Sequence, residues 1–458
     1  MSIYKSFVKH ILKPLDLWQS GDYAEITYWK EFEKTQYLQR DELNALVWQR
    51  LRNSLERAYR NIPYYKASFD RAGIVPSDIK TGEDMLHVPM LSKQELQTNL
   101  DELVNPNYPA KLLIRDKTGG STGTPVQYFY DRKRHLSRHG GAMRHDRWAG
   151  HEDGQRFACL WGAARDLPMP GWKQKLRSMI YPKTLILNTI NMTSEIMLDF
   201  NRQLKKYHPP VILAYANALA LFARFLKNSG ETAYHPKGII TSAEVLRPED
   251  RIVIEEVMCA PVFNRLGCRE FSVIASECEK HNGMHIMAEG LYIEIVKDGR
   301  HCADGERGEI IVTDMLNEAG PLIRYRLGDT ASWMDGTCSC GRSLPRIDQL
   351  EGRVTDFIVG MDNQLCSGAA LTVLIISTMP SLGQIQIIQE EWGKILYRVG
   401  CGKDGTLSKS DFDLLREKTE LYLGKGIGID YEFVDNIPHE ASGKYIFSKS
   451  KIAEEMMK

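Results

Sequence analysis

Short apolar stretches of strand character alternate with helical stretches through the middle of this 458-residue chain. The pattern predicts strands at residues 156–161, 211–215 and 238–241, with a helix ending at His208 and another over 218–227. Strands separated by helices pair in parallel, because the connection between parallel strands needs the length of a helix. The chain is therefore expected to fold as α/β layers around a largely parallel sheet.

Composition narrows the class of protein. Lysine and arginine number 59, as do aspartate and glutamate, so there is no general electrostatic case for binding nucleic acid or an acidic membrane. No apolar run is long enough for a membrane span, and residues 1–17 mix lysines with apolar residues, which favours a short amphipathic helix over a signal peptide. Nine scattered cysteines fit the reducing cytoplasm better than a disulfide framework.

The length allows more than one domain. A helix is predicted over residues 41–60, where leucines, valine and tyrosine recur every fourth position. After Leu350 the chain has its own strands at 385–389 and 395–399 and a polar helix at 409–421, which indicates a small α+β domain. The predicted division is an N-terminal domain at 1–350, a hinge at 351–357 and a C-terminal domain at 358–458.

Residues 118–125 form a stretch rich in glycine and hydroxyl groups. Its candidate phosphate-binding residues are Thr118, Gly119, Gly120, Ser121, Thr122, Gly123 and Thr124. Glycines let the backbone lie close to a ligand, and the hydroxyls and N–H groups can donate to phosphate oxygens. No Gly-Lys-Ser/Thr closes the stretch, so it is not a Walker A loop. Taken alone it is more typical of an ordinary surface loop, and only the motifs that follow it favour a phosphate-binding loop.

Five further segments follow in chain order. They are Ser242-Ala243-Glu244, Leu266-Gly267-Cys268-Arg269-Glu270, Tyr325-Arg-Leu-Gly-Asp329, Glu351-Gly-Arg353 and Pro438-His-Glu-Ala-Ser-Gly-Lys444. Together with the glycine-rich stretch they resemble the motifs of the adenylate-forming superfamily of acyl-CoA synthetases, in its phenylacetate-CoA ligase or CapK-like branch. The resemblance implies a large, multilayered α/β N-terminal domain and a small, mobile α+β lid. It also implies ATP-dependent activation of a carboxylic acid to an acyl-adenylate, with pyrophosphate release, and acyl transfer to coenzyme A.

The resemblance also implies roles for single residues. Thr118 to Thr124 would hold ATP phosphates, and the segments 242–244 and 266–267 would lie beside the adenine. Glu270 would bind Mg²⁺, which prefers hard oxygen ligands, and Arg269 would meet phosphate. Asp329 would accept hydrogen bonds from the ribose hydroxyls, Arg353 would contact the nucleotide, and Lys444 would assist adenylation as a point charge on the lid.

Some positions depart from the family pattern or have a simpler interpretation. Leu266 stands where an aromatic ring usually packs on adenine, and Arg269 replaces the usual threonine. Ser242 also suits a helix N-cap, Asp329 a turn between strands, and Glu270 the protein surface.

A second site is indicated by Cys278, His285, Cys338 and Cys340. Three thiolates and one imidazole form an acceptable tetrahedral zinc set, and members of the resembled branch carry zinc in this region. His281 competes as the fourth ligand, and free cysteines are the alternative to a metal site. Four protein ligands would leave no open position, so the zinc would be structural.

Three functions stay open at this point. The first is an acid ligase that uses coenzyme A, and the second passes the acyl group to a carrier-protein thiol, a sugar or an amine, as in polysaccharide assembly. The third is a non-catalytic protein stabilised by nucleotide or zinc. The acid, the acceptor and the oligomeric state, including a homodimer, cannot be read from the residues.

Overall fold

The computed structural model describes residues 7–117, 127–161, 184–189, 192, 194–348, 357–363, 365–367, 371, 375, 384–400, 407–435, 437 and 448–456. The chain forms two compact units. The larger unit contains the described residues up to 348, except residues 328–330. The smaller unit contains the described residues from 357 onward, together with residues 328–330. Within these ranges no helix is both long and apolar enough to span a bilayer.

The chain begins with helices. After a π-helical turn at Val8–Leu12, they are α1 (Lys13–Ser20), α2 (Ala24–Thr35), α3 (Arg40–Asn61), α4 (Pro63–Ala72) and α5 (Lys93–Thr98). Helix α3 buries Leu43, Leu51 and Leu55, which belong to the set of apolar residues at every fourth position that predicts the helix. It ends before Pro63, since proline cannot continue a helix but suits the first turn of the next.

A hairpin and a buried helix follow. Strands β1 (Leu113–Lys117) and β2 (Gln127–Asp131) pair antiparallel, and Asp131 caps α6 (Arg132–Trp148) by accepting from the Arg134 backbone N–H at 2.7 Å. Helix α6 buries charged side chains: Arg134 pairs with Asp314 at 2.6 Å and Arg144 with Glu289 at 2.6 Å. These pairs fix α6 against the β-sheet region of the larger unit.

Five parallel strands form one half of the main sheet. They are β3 (Phe157–Trp161), β4 (Thr184–Asn188), β5 (Val211–Tyr215), β6 (Gly238–Ser242) and β7 (Val262–Cys268), in the order β4-β3-β5-β6-β7. Helices α7 (Ser194–Tyr207), α8 (Ala216–Ser229) and α9 (Pro248–Met258) connect them. Side chains of these strands and helices share one apolar core. Ligands of such sheets bind outside the carboxyl ends of the strands, which here lie at one edge.

The prediction that Ser242 leads directly into a helix and caps it was wrong. Residues 243–247 are irregular, Ala243 has a φ of +69°, and α9 begins at Pro248 with Arg247 in the cap position. Pro248 sets this start because its fixed φ suits the first helical position.

The other half of the sheet is largely antiparallel. Its strands are β8 (Ser272–Glu277), β9 (Met284–Ile286), β10 (Leu291–Lys297), β11 (Arg300–His301), β12 (Arg307–Asp314), β13 (Tyr325–Met334) and β14 (Arg346–Ile347). Among the described strands the full order is β11-β10-β12-β13-β14-β9-β8-β7-β6-β5-β3-β4. The sheet is therefore mixed, and the predicted parallel character holds for its β3–β7 half.

The smaller unit is an α+β fold, as predicted. It contains β15 (Phe357–Val359), β16 (Leu365–Ser367), β17 (Gln384–Glu391), β18 (Lys394–Gly400), α10 (Lys409–Leu423), β19 (Gly428–Val434), β20 (Ser448–Ser450) and α11 (Lys451–Met456). Its four-stranded sheet has the order β19-β18-β17-β20. Ile387, Tyr397 and Leu415 are buried in its core. The Tyr397 hydroxyl is 2.7 Å from that of Thr419.

Candidate active site and metal centre

Glu270 lies at the tip of the β7–β8 hairpin. Cys268 and Ser272 face each other across the two strands, which leaves residues 269–271 as the turn. Ser272 has a φ of +66°, and a Cβ at Gly267 would lie 2.8 Å from the Ser272 carbonyl oxygen. The hairpin therefore requires glycine at 267, and it closes tightly enough to give Glu270 a defined position.

Side chains from α6, β2 and β13 hold this turn. Arg138 donates from Nη1 to the Arg269 carbonyl at 3.3 Å and from Nη2 to the Glu270 carbonyl. The Tyr128 hydroxyl donates to the Arg269 carbonyl at 2.6 Å. The Tyr325 hydroxyl donates to Glu270 Oε1 at 3.4 Å. Burial, with the Glu270 carboxylate, raises the pKa of Tyr325, so its phenol stays a donor.

Arg138 and Tyr128 were missed by the sequence analysis. The guanidinium of Arg138 lies 4.2 Å from the centroid of the Tyr130 ring, and the residue is only 9% exposed. The alternation along β2 places Tyr128 and Tyr130 on one buried face, but it does not show that Tyr128 reaches a turn more than a hundred residues away.

Segment 242–244 lies next to this hairpin. Strands β6 and β7 pair in parallel so that Ser242 is opposite Arg265, and Ser242 and Leu266 are both buried. Glu244 is partly buried and Ala243 adopts the left-handed conformation. The structure thus brings two of the predicted segments together at the carboxyl edge of adjacent strands.

Asp329 lies within strand β13 and is partly buried. Gly328 before it has a φ of +80°, yet the strand continues through both residues, so the interpretation as a turn between strands was wrong. Three other predictions fall outside the described residues: the phosphate contacts of Thr118 to Thr124, the nucleotide contact of Arg353 and the role of Lys444.

The four predicted zinc ligands converge. One ligand atom from each of Cys278, His285, Cys338 and Cys340 lies within 4.8 Å of all the others. The Cys278 and Cys338 sulfurs are 3.8 Å apart, and Cys340 Sγ is 3.4 Å from His285 Nε2. With Zn–S bonds of about 2.3 Å, tetrahedral geometry separates two sulfurs by about 3.8 Å. The donor set and its spacing therefore fit zinc.

Neighbouring backbone groups form hydrogen bonds with these side chains. His285 Nδ1 donates to the Leu344 carbonyl at 3.0 Å, which leaves Nε2 for a metal. The backbone N–H groups of Lys280 and Arg342 lie 3.5 Å from the sulfurs of Cys278 and Cys340.

The pKa values of the cysteine and histidine side chains in the cluster are consistent with binding of a cation. Burial lowers the pKa of His285 to about 4, so its imidazole is neutral at pH 7. Burial raises the pKa of Cys278 to about 12, and that thiol therefore needs a metal to ionise. Burial would also raise the pKa of Cys340, but hydrogen bonds from Arg342 outweigh it and the net direction is downward.

The side chain of His281, the competing fourth ligand, contacts Glu277 and Phe263 and is not part of the cluster. Its Nδ1 lies 3.1 Å from Glu277 Oε2, and its ring packs 4.7 Å from that of Phe263. Arg251 donates to the same carboxylate at 2.7 and 2.8 Å. The cluster therefore contains His285 and not His281.

The chain is similar in sequence to several known proteins. Residues 359–451 match a family model described as the CapK C-terminal domain. The phenylacetate-coenzyme A ligase of Escherichia coli (strain K12) is 28% identical over 330 residues, which cover 70% of this chain and 73% of the relative. Protein CapK of Staphylococcus aureus is 22% identical over 419 residues, 90% of each chain.

The fold has a close counterpart among solved structures. A crystal structure of 2-hydroxyisobutyryl-CoA ligase in the postadenylation state superposes with a TM-score of 0.70 at 18% identity, over 92% of each chain. At that identity the likeness establishes the fold alone. In sequence the chain is therefore similar to phenylacetate-coenzyme A ligases and to protein CapK, and in fold to an acyl-CoA ligase.

Proposed function

We propose that the protein is an ATP-dependent acid–thiol ligase. An oxygen of the acid attacks the α-phosphorus of ATP, the bond to the β-phosphate bridging oxygen breaks, and pyrophosphate leaves with an acyl-adenylate as the other product. A thiolate of coenzyme A then attacks the acyl carbon, and AMP leaves as the thioester forms. The observation that carries the proposal is the tight hairpin that presents Glu270 at the carboxyl edge of the parallel strands, next to Ser242–Glu244.

In the first half-reaction negative charge is concentrated around the phosphates, and fixed charges and dipoles supply most of the catalysis. Glu270 would hold Mg²⁺, whose charge offsets that of the phosphates, while Tyr325 orients the carboxylate and Arg138 and Tyr128 fix the turn. Arg269 would face phosphate. Leu266 offers an apolar side chain, rather than a ring, beside the adenine.

The remaining roles rest on the motifs. Thr118 to Thr124 would hold the phosphates, Asp329 the ribose hydroxyls and Arg353 the nucleotide, and Lys444 would bring positive charge to the α-phosphate during adenylation. Because ATP and coenzyme A are both cytoplasmic, we place the protein in the cytoplasm.

We assign zinc a structural role at Cys278, His285, Cys338 and Cys340. All four positions of a tetrahedral ion would be filled by protein atoms, so none is open for substrate.

A pyrophosphate-release screen over aryl, fatty, hydroxy and amino acids, with and without coenzyme A, tests the proposal. Glu270→Gln removes the charge of the metal ligand and should slow adenylation about a hundredfold, the usual loss for one preorganised electrostatic group. Glu306→Gln, in an exposed pair with Arg300, is the matched control. Release of pyrophosphate by Glu270→Gln at the wild-type rate and Mg²⁺ dependence would contradict the assignment.

A second candidate differs only in the acyl acceptor. The CapK relative aligns over 90% of this chain, the ligase relative over 70%, and the family model matched at residues 359–451 is that of CapK. In this candidate the acceptor would be a carrier-protein thiol, a sugar or an amine. Adenylation that proceeds normally while coenzyme A yields no thioester would favour this candidate.

A further inference from the structure

The helix at the start of the larger unit exposes a stripe of apolar side chains. The π-helical turn Val8–Leu12 continues into α1 without a break, because Leu12 and Lys13 both have helical dihedral angles. Spacings of four, four and three residues place the large apolar side chains on one face of this helix. They form the apolar stripe Phe7, Ile11, Leu15 and Trp18, whose exposed fractions range from 44% at Phe7 to 72% at Trp18.

Other side chains of the same helix fix it to the larger unit. Val8 and Leu17 are buried. The Lys13 ammonium lies 3.0 Å from a carboxylate oxygen of Glu25 and 2.9 Å from one of Asp153. The apolar stripe is therefore presented outward by a helix that is packed against the protein, and its exposure does not come from a detached helix.

Exposed apolar side chains are concentrated in this part of the chain. Tyr23, in the turn before α2, is also exposed, whereas the other exposed large hydrophobic side chains of the described residues are scattered along the chain. Single exposed apolar residues are normal on a protein surface, but a contiguous patch indicates a surface that binds another apolar surface. The apolar stripe therefore indicates a binding surface.

The apolar stripe is too small for a stable interface with a second copy of the chain. A helix of this length, from Phe7 to Trp18, extends about 18 Å, and a width of about 10 Å gives its face roughly 180 Å². Specific protein interfaces bury about 800 Å² on each partner. The stripe is not extended by its neighbours, because the exposed residues beside it include His10, Gln19 and Ser20. A lipid bilayer needs no such minimum area, since lipids surround every side chain that enters it.

The charge of this segment matches an anionic lipid surface. Residues 1–13 include Lys5, Lys9 and Lys13 and no aspartate or glutamate, and Asp16 is the only acidic residue up to residue 20. The balanced charge of the whole chain gives no general attraction to an acidic membrane, so the attraction would be local to this segment. Lysines on one side of a helix and Trp, Phe and Leu on the other are typical of helices that lie in the membrane interface, where tryptophan is favoured because its indole is apolar with one polar N–H.

We propose that the apolar stripe inserts into the headgroup region of an anionic bilayer and holds the protein on the membrane surface without spanning it. The helix would lie parallel to the membrane, with its four apolar side chains at the boundary between headgroups and acyl chains. The lysines of residues 1–13 would add attraction to the anionic headgroups. This inference does not depend on the proposed ligase activity, and it would place that activity at a membrane surface.

Vesicle flotation of the full-length protein tests the proposal. The wild type should float with vesicles of mixed phosphatidylcholine and phosphatidylglycerol. Trp18→Ser and Leu15→Ser should each weaken binding about tenfold or more, because each removes a large apolar side chain from the interface. Leu421→Ser is the matched control, because Leu421 is 74% exposed on α10 of the smaller unit and does not belong to the apolar stripe. It should bind like the wild type.

Two further measurements test insertion and the choice of lipid. Insertion of Trp18 should shift the tryptophan emission of the wild type to shorter wavelength, and Trp18→Phe should lose this shift while it keeps most of the binding. Vesicles of phosphatidylcholine alone, or salt raised to about 0.5 M, should weaken binding several-fold, because the attraction of the lysines is then absent or screened. Binding that is unchanged under both conditions would overturn the anionic partner.

Three results would overturn the membrane surface itself. The first is a wild-type protein that does not float with the anionic vesicles. The second is flotation of Trp18→Ser and Leu15→Ser at the wild-type level. The third is a wild-type dimer in sedimentation velocity that dissociates in Trp18→Ser, which would show that a second copy covers the apolar stripe. Both positions are more than half exposed, so neither serine variant should change the melting temperature, which calorimetry checks.

Discussion

Removal of zinc should destabilise the larger unit by a predictable amount. The ion would join Cys278 to Cys338, which are 60 residues apart, and so close a loop of that length. The chain-entropy relation for cross-links gives about 4 kcal/mol for a loop of this size, and metal clips constrain the unfolded chain in the same way. At about 2 °C per kcal/mol for a large domain, the melting temperature should fall by about 8 °C.

Calorimetry of the reduced full-length protein, before and after treatment with a chelator, measures this shift. Cys338→Ser should melt as low as the chelated wild type and should not respond further to the chelator. Cys259→Ser is the matched control, because Cys259 is an exposed free thiol outside the cluster, and it should leave the melting temperature within about 1 °C. A wild-type protein whose melting temperature ignores the chelator, or that contains less than one zinc per chain after metal-free purification, would refute the reasoning.

Three further outcomes are expected. His285→Ala should lose zinc while His281→Ala retains it, as elemental analysis would show. Zinc affinity should fall as the pH drops through neutrality, because zinc displaces protons from thiols such as that of Cys278, whose pKa is raised to about 12. The imidazole of His285, with a pKa of about 4, has no proton to lose at neutral pH. A zinc titration with no pH dependence would contradict this expectation. Lys444→Ala should slow adenylation about a hundredfold but spare thioester formation from supplied acyl-adenylate, and equal losses in both steps would argue against a lid lysine.

Three strands of the parallel half, β3, β5 and β6, could be predicted because each is a short apolar run with a turn or helix beside it, whereas β4 and β7 were not predicted. Strand β5 was predicted at 211–215, where it is observed, and the helix predicted at 218–227 is observed as Ala216–Ser229. The convergence of Cys278, His285, Cys338 and Cys340 was also predicted, because three thiols and an imidazole make an acceptable tetrahedral donor set. The choice of His285 over His281 needed the structure, because only the contact of His281 with Glu277 shows that it is turned away.

Helix α6 and the role of Arg138 could not be predicted, for a physical reason. Its buried side chains include Arg134 and Arg144, which pair with Asp314 at the end of β12 and with Glu289 in the turn between β9 and β10, so the usual apolar repeat is absent. Gly140 lets α6 approach α2 closely, since a Cβ there would lie 2.8 Å from the Trp29 backbone nitrogen. A helix packed through ion pairs and glycine leaves no periodic signal in the sequence, although its Arg138 holds the Glu270 turn.

The order of the metal ligands along the chain has a consequence for biosynthesis. All four lie between Cys278 and Cys340, and the described residues of the smaller unit, from Phe357 to Met456, all follow Cys340 in the sequence. At about 5–20 residues per second, the ribosome needs roughly 6–23 seconds to extend the chain from Cys340 to Met456. During that time the nascent chain can take up zinc and set the strand pairing around the Glu270 hairpin before the smaller unit is complete. Cells short of zinc should therefore accumulate misfolded newly made chains, while molecules that were completed earlier keep their metal and their fold.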